Sequence, residues 1–152
     1  MEWATLPLKK YSDFTGRARR KEYWSYVLLL IVVGVVIGVI EGALGLRGMV
    51  GPYGPLSALF LLATLVPSLA VGVRRLHDTG RPGWWLLIGY GPFLLSLCLT
   101  YLGMVQLALI VSIVALLGFI VLLVFFVLEG TRGPNEYGPD PKGADAPAAG
   151  TA

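Results

Sequence analysis

The hydrophobic positions of this chain form long runs that no charged side chain interrupts. The run from 84 to 128 has 45 uncharged residues, and two shorter runs cover 23–40 and 56–73. An amphipathic helix of a soluble protein has a polar face opposite its apolar stripe, whereas these runs are apolar on every face. The pattern therefore predicts helices that lie in lipid.

The lengths of the runs determine how often the chain crosses the bilayer. A helix that spans the hydrocarbon core needs about 20 residues at a rise of about 1.5 Å each. As one helix, the longest run would extend for roughly 68 Å, more than twice the thickness of the core. It must fold back, and the polar, flexible residues 100–103 are where it can turn. We therefore predict an all-α membrane protein, a four-transmembrane-helix bundle with spans at about 23–41, 56–74, 84–100 and 104–128.

The distribution of Lys and Arg predicts the orientation of these spans. Six lie before the first span, three in the second connection and two after the last span, whereas the opposite side has only Arg47. Because cytoplasmic loops are enriched in Lys and Arg, both termini are expected in the cytoplasm. The first span is too long for a cleaved signal peptide. We predict a basic cytoplasmic segment at 1–22, the membrane domain at 23–128, an ordered Gly/Pro-rich cytoplasmic cap at 129–142 and a disordered tail at 143–152.

Composition narrows the functional classes. The chain is 56% hydrophobic and 14% charged, against about 25% charged in soluble domains. Cys98 and His77 are the single cysteine and histidine, which excludes a disulfide framework and a His-rich metal cluster, so neither a metal nor a cofactor is expected. The centres of the predicted spans lack Asp, Glu, Lys, Arg and His, which counts against a proton-coupled transporter.

Three glycines recur at every fourth position of the first span, at Gly34, Gly38 and Gly42. Small residues at this spacing allow helices to approach closely in lipid. Helix packing within the monomer is the favoured interpretation, and a homo-oligomer through the same three residues is the alternative.

The first polar motif, at 14–24, leads directly into the first span. If the helix begins near Arg17, then Arg17, Arg20, Lys21 and Trp24 share one face. The simpler interpretation is an orientation signal with an aromatic anchor at the membrane interface.

The second motif, at 74–85, joins the second and third spans. A continued helix would place Arg74, His77 and Asp78 on one face, and Gly80 would end it. His77 and Asp78 could act as a general base with its orienting carboxylate. A structural ion-pair cluster is favoured because no Ser or Cys nucleophile lies nearby, and we therefore assign no catalytic residue.

The third motif, at 129–141, has three glycines and three prolines, which exclude regular helix and strand. Asn135, Tyr137 and Asp140 are spaced between its turns. This pattern predicts an ordered cap rather than a solvated tail.

Together the three motifs resemble the "domain of unknown function 805" family of small bacterial inner-membrane proteins. The resemblance covers about 11–142, and Pro82 stands where many relatives have Ser. It rests on Gly16-Arg17-x-x-Arg20-x-Glu22-Tyr23-Trp24, Arg74-Arg75-Leu76-His77-Asp78-x-Gly80-x-x-Gly83-Trp84-Trp85, and Gly130-x-x-Gly133-x-Asn135-x-Tyr137-Gly138-x-Asp140. It implies a helical inner-membrane protein and supplies neither an activity nor catalytic residues.

All three motifs are predicted on the cytoplasmic side, which suggests one binding cluster there. Its members are Arg17, Arg20, Glu22, Trp24, Arg74, Arg75, His77, Asp78, Trp84, Asn135, Tyr137 and Asp140. Guanidinium groups fit phosphate oxygens, so the expected ligand is an anionic phospholipid headgroup, with a membrane protein partner as the other choice. Nucleic acid is not expected, because the basic segment is short and held at the membrane. The alternatives are a small transporter or channel component for a neutral solute, and a membrane-surface enzyme acting on a phospholipid headgroup.

Overall fold

The computed structural model describes residues 2–49 and 53–143, so the predicted disordered tail, apart from Gly143, lies outside the described residues. Within them the chain forms five α-helices: α1 (Glu2–Lys9), α2 (Arg20–Ala43), α3 (Pro55–Asp78), α4 (Leu87–Tyr101) and α5 (Val105–Val127). A 3-10 turn at Gly83–Leu86 leads into α4. The described residues contain no β-strand, and an isolated bridge joins Asn135 and Gly138.

Four of these elements are long and apolar enough to cross a membrane: α2, α3, α4 with its 3-10 turn, and α5. Their outward side chains are large and apolar; Leu28 is 62% exposed and Leu109 is 61% exposed. Such a surface suits lipid, which is as apolar as the side chains themselves. The prediction of an all-α membrane protein with four spanning helices is confirmed.

The start of the first spanning helix differs from the sequence prediction. A helical start near Arg17 is wrong, because α2 begins at Arg20. Gly16 has a φ of 74°, and the amide N–H of Ala18 donates to the carbonyl oxygen of Arg74 at 2.9 Å. This backbone partner from a distant part of the chain holds residues 16–19 outside the helix. The helix α1 was not predicted either.

The chain divides into two compact units. Among the described residues, the first unit comprises 2–14 and 21–71, and the second unit comprises 15–20 and 72–143.

In the first unit, α2 and α3 pack antiparallel. The hydroxyl groups of Tyr26 and Ser68 are 3.3 Å apart, and Gly34 lies against the ring of Phe60. Towards the other end of the pair, the carboxylate of Glu41 accepts hydrogen bonds from the Ser57 amide at 2.9 Å and the Ser57 hydroxyl at 2.5 Å. Later residues of α2 therefore contact earlier residues of α3, as antiparallel packing requires.

The glycine stripe on α2 has two different neighbours. Gly34 faces α3, as expected for helix packing. Gly38 and Gly42 instead lie beneath the side chain of Arg47, whose Nη2 donates to the Gly38 carbonyl at 2.9 Å. The interpretation of all three as a helix-packing seam thus holds only at Gly34, and a homo-oligomer through them stays a prediction.

In the second unit, α4 and α5 form an antiparallel hairpin. Its turn lies at 102–104, where Gly103 has a φ of 77°. A Cβ on Gly118 would overlap the backbone carbonyl of Ile88, so glycine is what lets the two backbones meet. The rings of Tyr90 and Phe119 pack edge to face at 5.1 Å between centroids.

Candidate functional site in the second unit

The end of α3 places the second motif. The Gly80 amide donates to the His77 carbonyl and the Arg81 amide donates to the Leu76 carbonyl, both at 3.0 Å. These are the two bonds of a Schellman motif, which needs a left-handed residue, and Gly80 supplies a φ of 71°. The last helical turn therefore stops at Asp78 with its side chain fixed.

Two arginines converge on the carboxylate of Asp78, whose side chain is 4% exposed. Arg17 approaches Oδ1 from Nε at 3.1 Å and from Nη2 at 3.0 Å, and Arg75 donates to Oδ2 from Nη1. We call these three side chains the arginine cluster. Two cations on one anion leave a positive charge that must be stabilised in another way.

Backbone carbonyls stabilise that remaining charge. Arg17 donates to the carbonyls of Gly133 at 2.7 Å and Thr131 at 2.5 Å. Arg75 donates to Phe126 at 3.1 Å, to Ala18 at 3.4 Å and to Leu128.

The carbonyls of Phe126 and Leu128 lie at the end of α5, where the last helical turn leaves carbonyls without intrahelical partners. A cation there also complements the negative end of the helix dipole. Arg75 therefore acts as a cap for α5.

The chain after α5 folds onto the end of α3. The Thr131 amide donates to the Asp78 carbonyl at 2.8 Å, and Asn135 Nδ2 donates to the His77 carbonyl at 2.9 Å. A Cβ on Gly130 would overlap the carboxylate of Asp78, so only glycine permits this approach. Residues 129–142, which we call the cap, make these contacts, and the order of the whole segment stays a prediction.

Asp140 closes the cap on itself. Its carboxylate accepts hydrogen bonds from the backbone amides of Lys142 and Gly133, each at 2.9 Å. These two bonds, together with the charges of Arg17 and Lys142, lower the pKa of Asp140 below its usual value. The carboxylate is therefore engaged within the cap.

His77 has its own partners. Its ring stacks on Tyr137 with 4.0 Å between centroids and 5° between planes. Nδ1 lies 3.1 Å from the Gly16 carbonyl, which can only accept, so Nδ1 carries the proton. Partial burial, with Glu136 alongside, raises the pKa of Tyr137. The carboxylate of Asp78 is taken by Arg17 and Arg75, so the histidine–aspartate pair weighed from sequence is not formed, and the geometry matches the structural ion-pair interpretation.

The remaining predicted site residues have other surroundings. Arg20 is exposed and donates to the Val127 carbonyl at 2.9 Å, whereas Arg74 is fully buried. Trp84 stacks on Trp85 and is 59% exposed.

Two of the predicted site residues belong to the first unit. Glu22 is buried in the first turn of α2, and Trp24 packs edge to face on Tyr23. The second unit brings together seven of the predicted residues: Arg17, Arg75, His77, Asp78, Asn135, Tyr137 and Asp140.

A small cavity of about 10 Å³ lies beside the cluster, enough for about one water molecule. Its walls include Arg19, Arg132 and Lys142, which we call the cationic rim. From the sequence these three counted only as orientation signals, although Arg19 lies in the first motif, Arg132 lies in the third and Lys142 follows it directly. Among residues 2–49 and 53–143, no group of three His, Cys, Asp or Glu side chains could hold a metal ion.

Comparison with known proteins gives a consistent family assignment. The family model described as "Protein of unknown function (DUF805)" matches residues 11–139. "Inner membrane protein YhaI" of Escherichia coli (strain K12) is 46% identical over 142 residues, covering 93% of this chain and 97% of the relative. "Inner membrane protein YhaH" of the same strain is 36% identical, covering 93% and 98%. "Uncharacterized protein YiiR" is 30% identical over 130 residues, covering 84% and 85%.

No solved structure matches the chain. Four spanning helices and relatives named as inner membrane proteins make this a multi-pass protein of the bacterial inner membrane. The match covers most of the chain, with the first two motifs and residues 129–139 of the third, so this chain belongs to the DUF805 family.

Proposed function

We propose that this chain is an inner-membrane binding protein whose cationic rim holds the phosphate of an anionic phospholipid headgroup. The observation that carries the proposal is a charge excess in the second unit. Residues 15–20, 72–86 and 128–143 contain eight Arg or Lys side chains against four Asp or Glu. An anionic ligand would balance part of that excess.

The arginine cluster supports the fold rather than the ligand. Arg17 and Arg75 are buried and donate to Asp78 and to five backbone carbonyls. A headgroup would have to displace these bonds. The binding role proposed from sequence is therefore assigned to other cations.

The cationic rim is a better candidate for the headgroup site than the arginine cluster, because the carboxylates beside the rim already have partners. Asp78 is held by two arginines, and Asp140 accepts two backbone hydrogen bonds. Lys142 approaches Glu129 only at 3.9 Å in an exposed pair, and such pairs contribute roughly 0–1 kcal/mol. A phosphate could replace Glu129 at little cost.

The depth of the rim also suits a headgroup. Arg20 is the first residue of α2 and donates to the carbonyl of Val127, the last residue of α5. The rim residues Arg19 and Arg132 lie close to these two span ends along the chain. Basic residues at this depth attract anionic lipids by about 1 kcal/mol each. Guanidinium groups such as that of Arg132 bind phosphate oxygens in pairs.

The test compares the lipids that remain bound after purification. Wild type and the double variant Arg132→Gln/Lys142→Gln are reconstituted with equal phosphatidylglycerol and phosphatidylcholine, and bound lipid is measured by mass spectrometry. We expect a several-fold enrichment of phosphatidylglycerol on wild type and its loss in the variant. Both side chains are exposed, so the fold should persist, which an unfolding curve verifies.

The matched control is Lys9→Gln/Lys10→Gln, which removes the same charge from exposed positions of the first unit. It should keep the enrichment. Equal enrichment on wild type and the rim variant would contradict the proposal, and so would equal losses in the rim and control variants.

A further inference from the structure

The first unit contains a groove beside α1. It has a volume of about 440 Å³, within the range of about 300–1,000 Å³ that is usual for small-molecule sites. Its walls are formed by Trp3, Ala4, Lys21, Ser25, Leu28, Leu29 and Val32. It is therefore a concave part of the surface, with α1 as one side wall.

The groove changes from polar to apolar along α2. Lys21 and Ser25 are one turn apart near the start of the helix, and Leu28, Leu29 and Val32 continue the same face by three- and four-residue steps. The polar end coincides with the start of the span and the apolar end lies within it. A phospholipid has the same polarity along its length.

The Trp3 side of the groove has the chemistry of a membrane interface. The Lys21 ammonium lies 5.7 Å from the centroid of the Trp3 ring, a cation–π arrangement. Trp is enriched at the headgroup level of membranes because its ring is apolar and its N–H is polar. The cation is thus fixed at one end of the groove, beside an aromatic wall.

We infer that this groove binds one anionic phospholipid, with its phosphate at Lys21 and one acyl chain along Leu28, Leu29 and Val32. The charge complementarity is local, because Lys21 is the only ionisable side chain among the described ones that line the groove. The site is independent of the cationic rim, since the two sites have no residue in common and belong to different units.

The test uses the full chain and photoactivatable lipids. Wild type is reconstituted with trace phosphatidylglycerol or phosphatidylcholine carrying a diazirine on the acyl chain, and adducts are mapped by peptide mass spectrometry. We expect adducts at 28–32 several-fold above those on the exposed face of α5, and more from phosphatidylglycerol than from phosphatidylcholine.

Two variants separate the contribution of the acyl-chain contacts from that of the headgroup contact. Leu29→Trp fills the groove and should reduce adducts at 28–32 several-fold. Its matched control, Leu116→Trp, adds the same ring on an exposed face of α5 and should leave them unchanged. Lys21→Gln should keep the adducts but bring the two lipids to equal labelling.

Three outcomes would overturn the inference: labelling at 28–32 no higher than on α5, labelling that Leu29→Trp leaves intact, or equal labelling by both lipids in wild type. The variant Arg132→Gln/Lys142→Gln should label this groove like wild type. Failure of the rim proposal would therefore be seen separately from failure at this site.

Discussion

The two ends of α3 each bury a carboxylate, and they neutralise it in opposite ways. In the first unit, the carboxylate of Glu41 accepts hydrogen bonds from the amide and hydroxyl of Ser57, which lies in the first turn of α3. In the second unit, the carboxylate of Asp78 pairs with the guanidinium groups of Arg17 and Arg75, which also donate to backbone carbonyls.

The difference follows from the two ends of a helix. Amide groups without partners and the positive end of the dipole lie at the N-terminus, so an anion alone is stabilised there. Carbonyls without partners lie at the C-terminus, so cationic side chains are the groups that can donate to them. Asp78 neutralises part of the positive charge of these cations. The comparison teaches that this membrane protein places buried charge where helix ends can bond to it.

The largest expected effect comes from removing Asp78. Asp78→Ala leaves Arg17 and Arg75 buried without their carboxylate, and breaking a buried ion pair typically costs about 3–5 kcal/mol. Glu41→Gln keeps an acceptor for Ser57 and should cost only about 1–2 kcal/mol, as the loss of a helix N-cap does. Unfolding curves in detergent measure both, and an equal loss would break the distinction between the two ends.

An intermediate effect is expected at the glycines that let each carboxylate approach. A Cβ on Gly130 would overlap Asp78, and a Cβ on Gly54 would overlap Glu41. Gly130→Ala and Gly54→Ala should each lower the free energy of unfolding by about 1–3 kcal/mol, as overpacking does. Gly91→Ala is the control, because nothing lies within 4 Å of its Cβ position. Unchanged stability at position 130 would show that the cap does not need this close contact.

The smallest effect concerns pH. Since the folded pKa of Asp140 is lowered, its contribution is present above the unfolded pKa of about 3.9 and is lost as the pH falls through the folded value. The unfolding midpoints of wild type and Asp140→Asn should therefore differ at neutral pH and converge under acid. The exposed Glu136→Gln serves as control. A difference that stays constant under acid would contradict the role of this carboxylate.

Much of the fold could be predicted because lipid imposes simple rules on length and charge. The uncharged runs determined four spans, the 45-residue run required a turn, and Gly80 marked the end of α3. Gly133 and Gly138 have the positive φ angles that the glycine-rich third motif favours, whereas the order of the cap stays a prediction. The cytoplasmic location of the termini stays a prediction.

The site was harder to predict because its partners are distant in sequence. Arg17 and Arg75 were expected to face a ligand, as arginines usually lie at the surface. Both are instead buried and donate to carbonyls at 126–133. Glu41 lay at a predicted span end without a recognisable partner, since Ser57 is across a connection. Periodicity reports which face of a helix is apolar, not which carbonyl a guanidinium reaches.

The reach of Arg17 and Arg75 also affects the order of assembly. Chains are made from the N-terminus, so both arginines are synthesised long before the carbonyls of 126–133 that they bind. Asp78 and the Ala18 carbonyl, by contrast, belong to the part of the chain that is made before α5. Synthesis of α5 and the residues after it therefore supplies the carbonyl partners at 126–133 that these two arginines have in the folded protein.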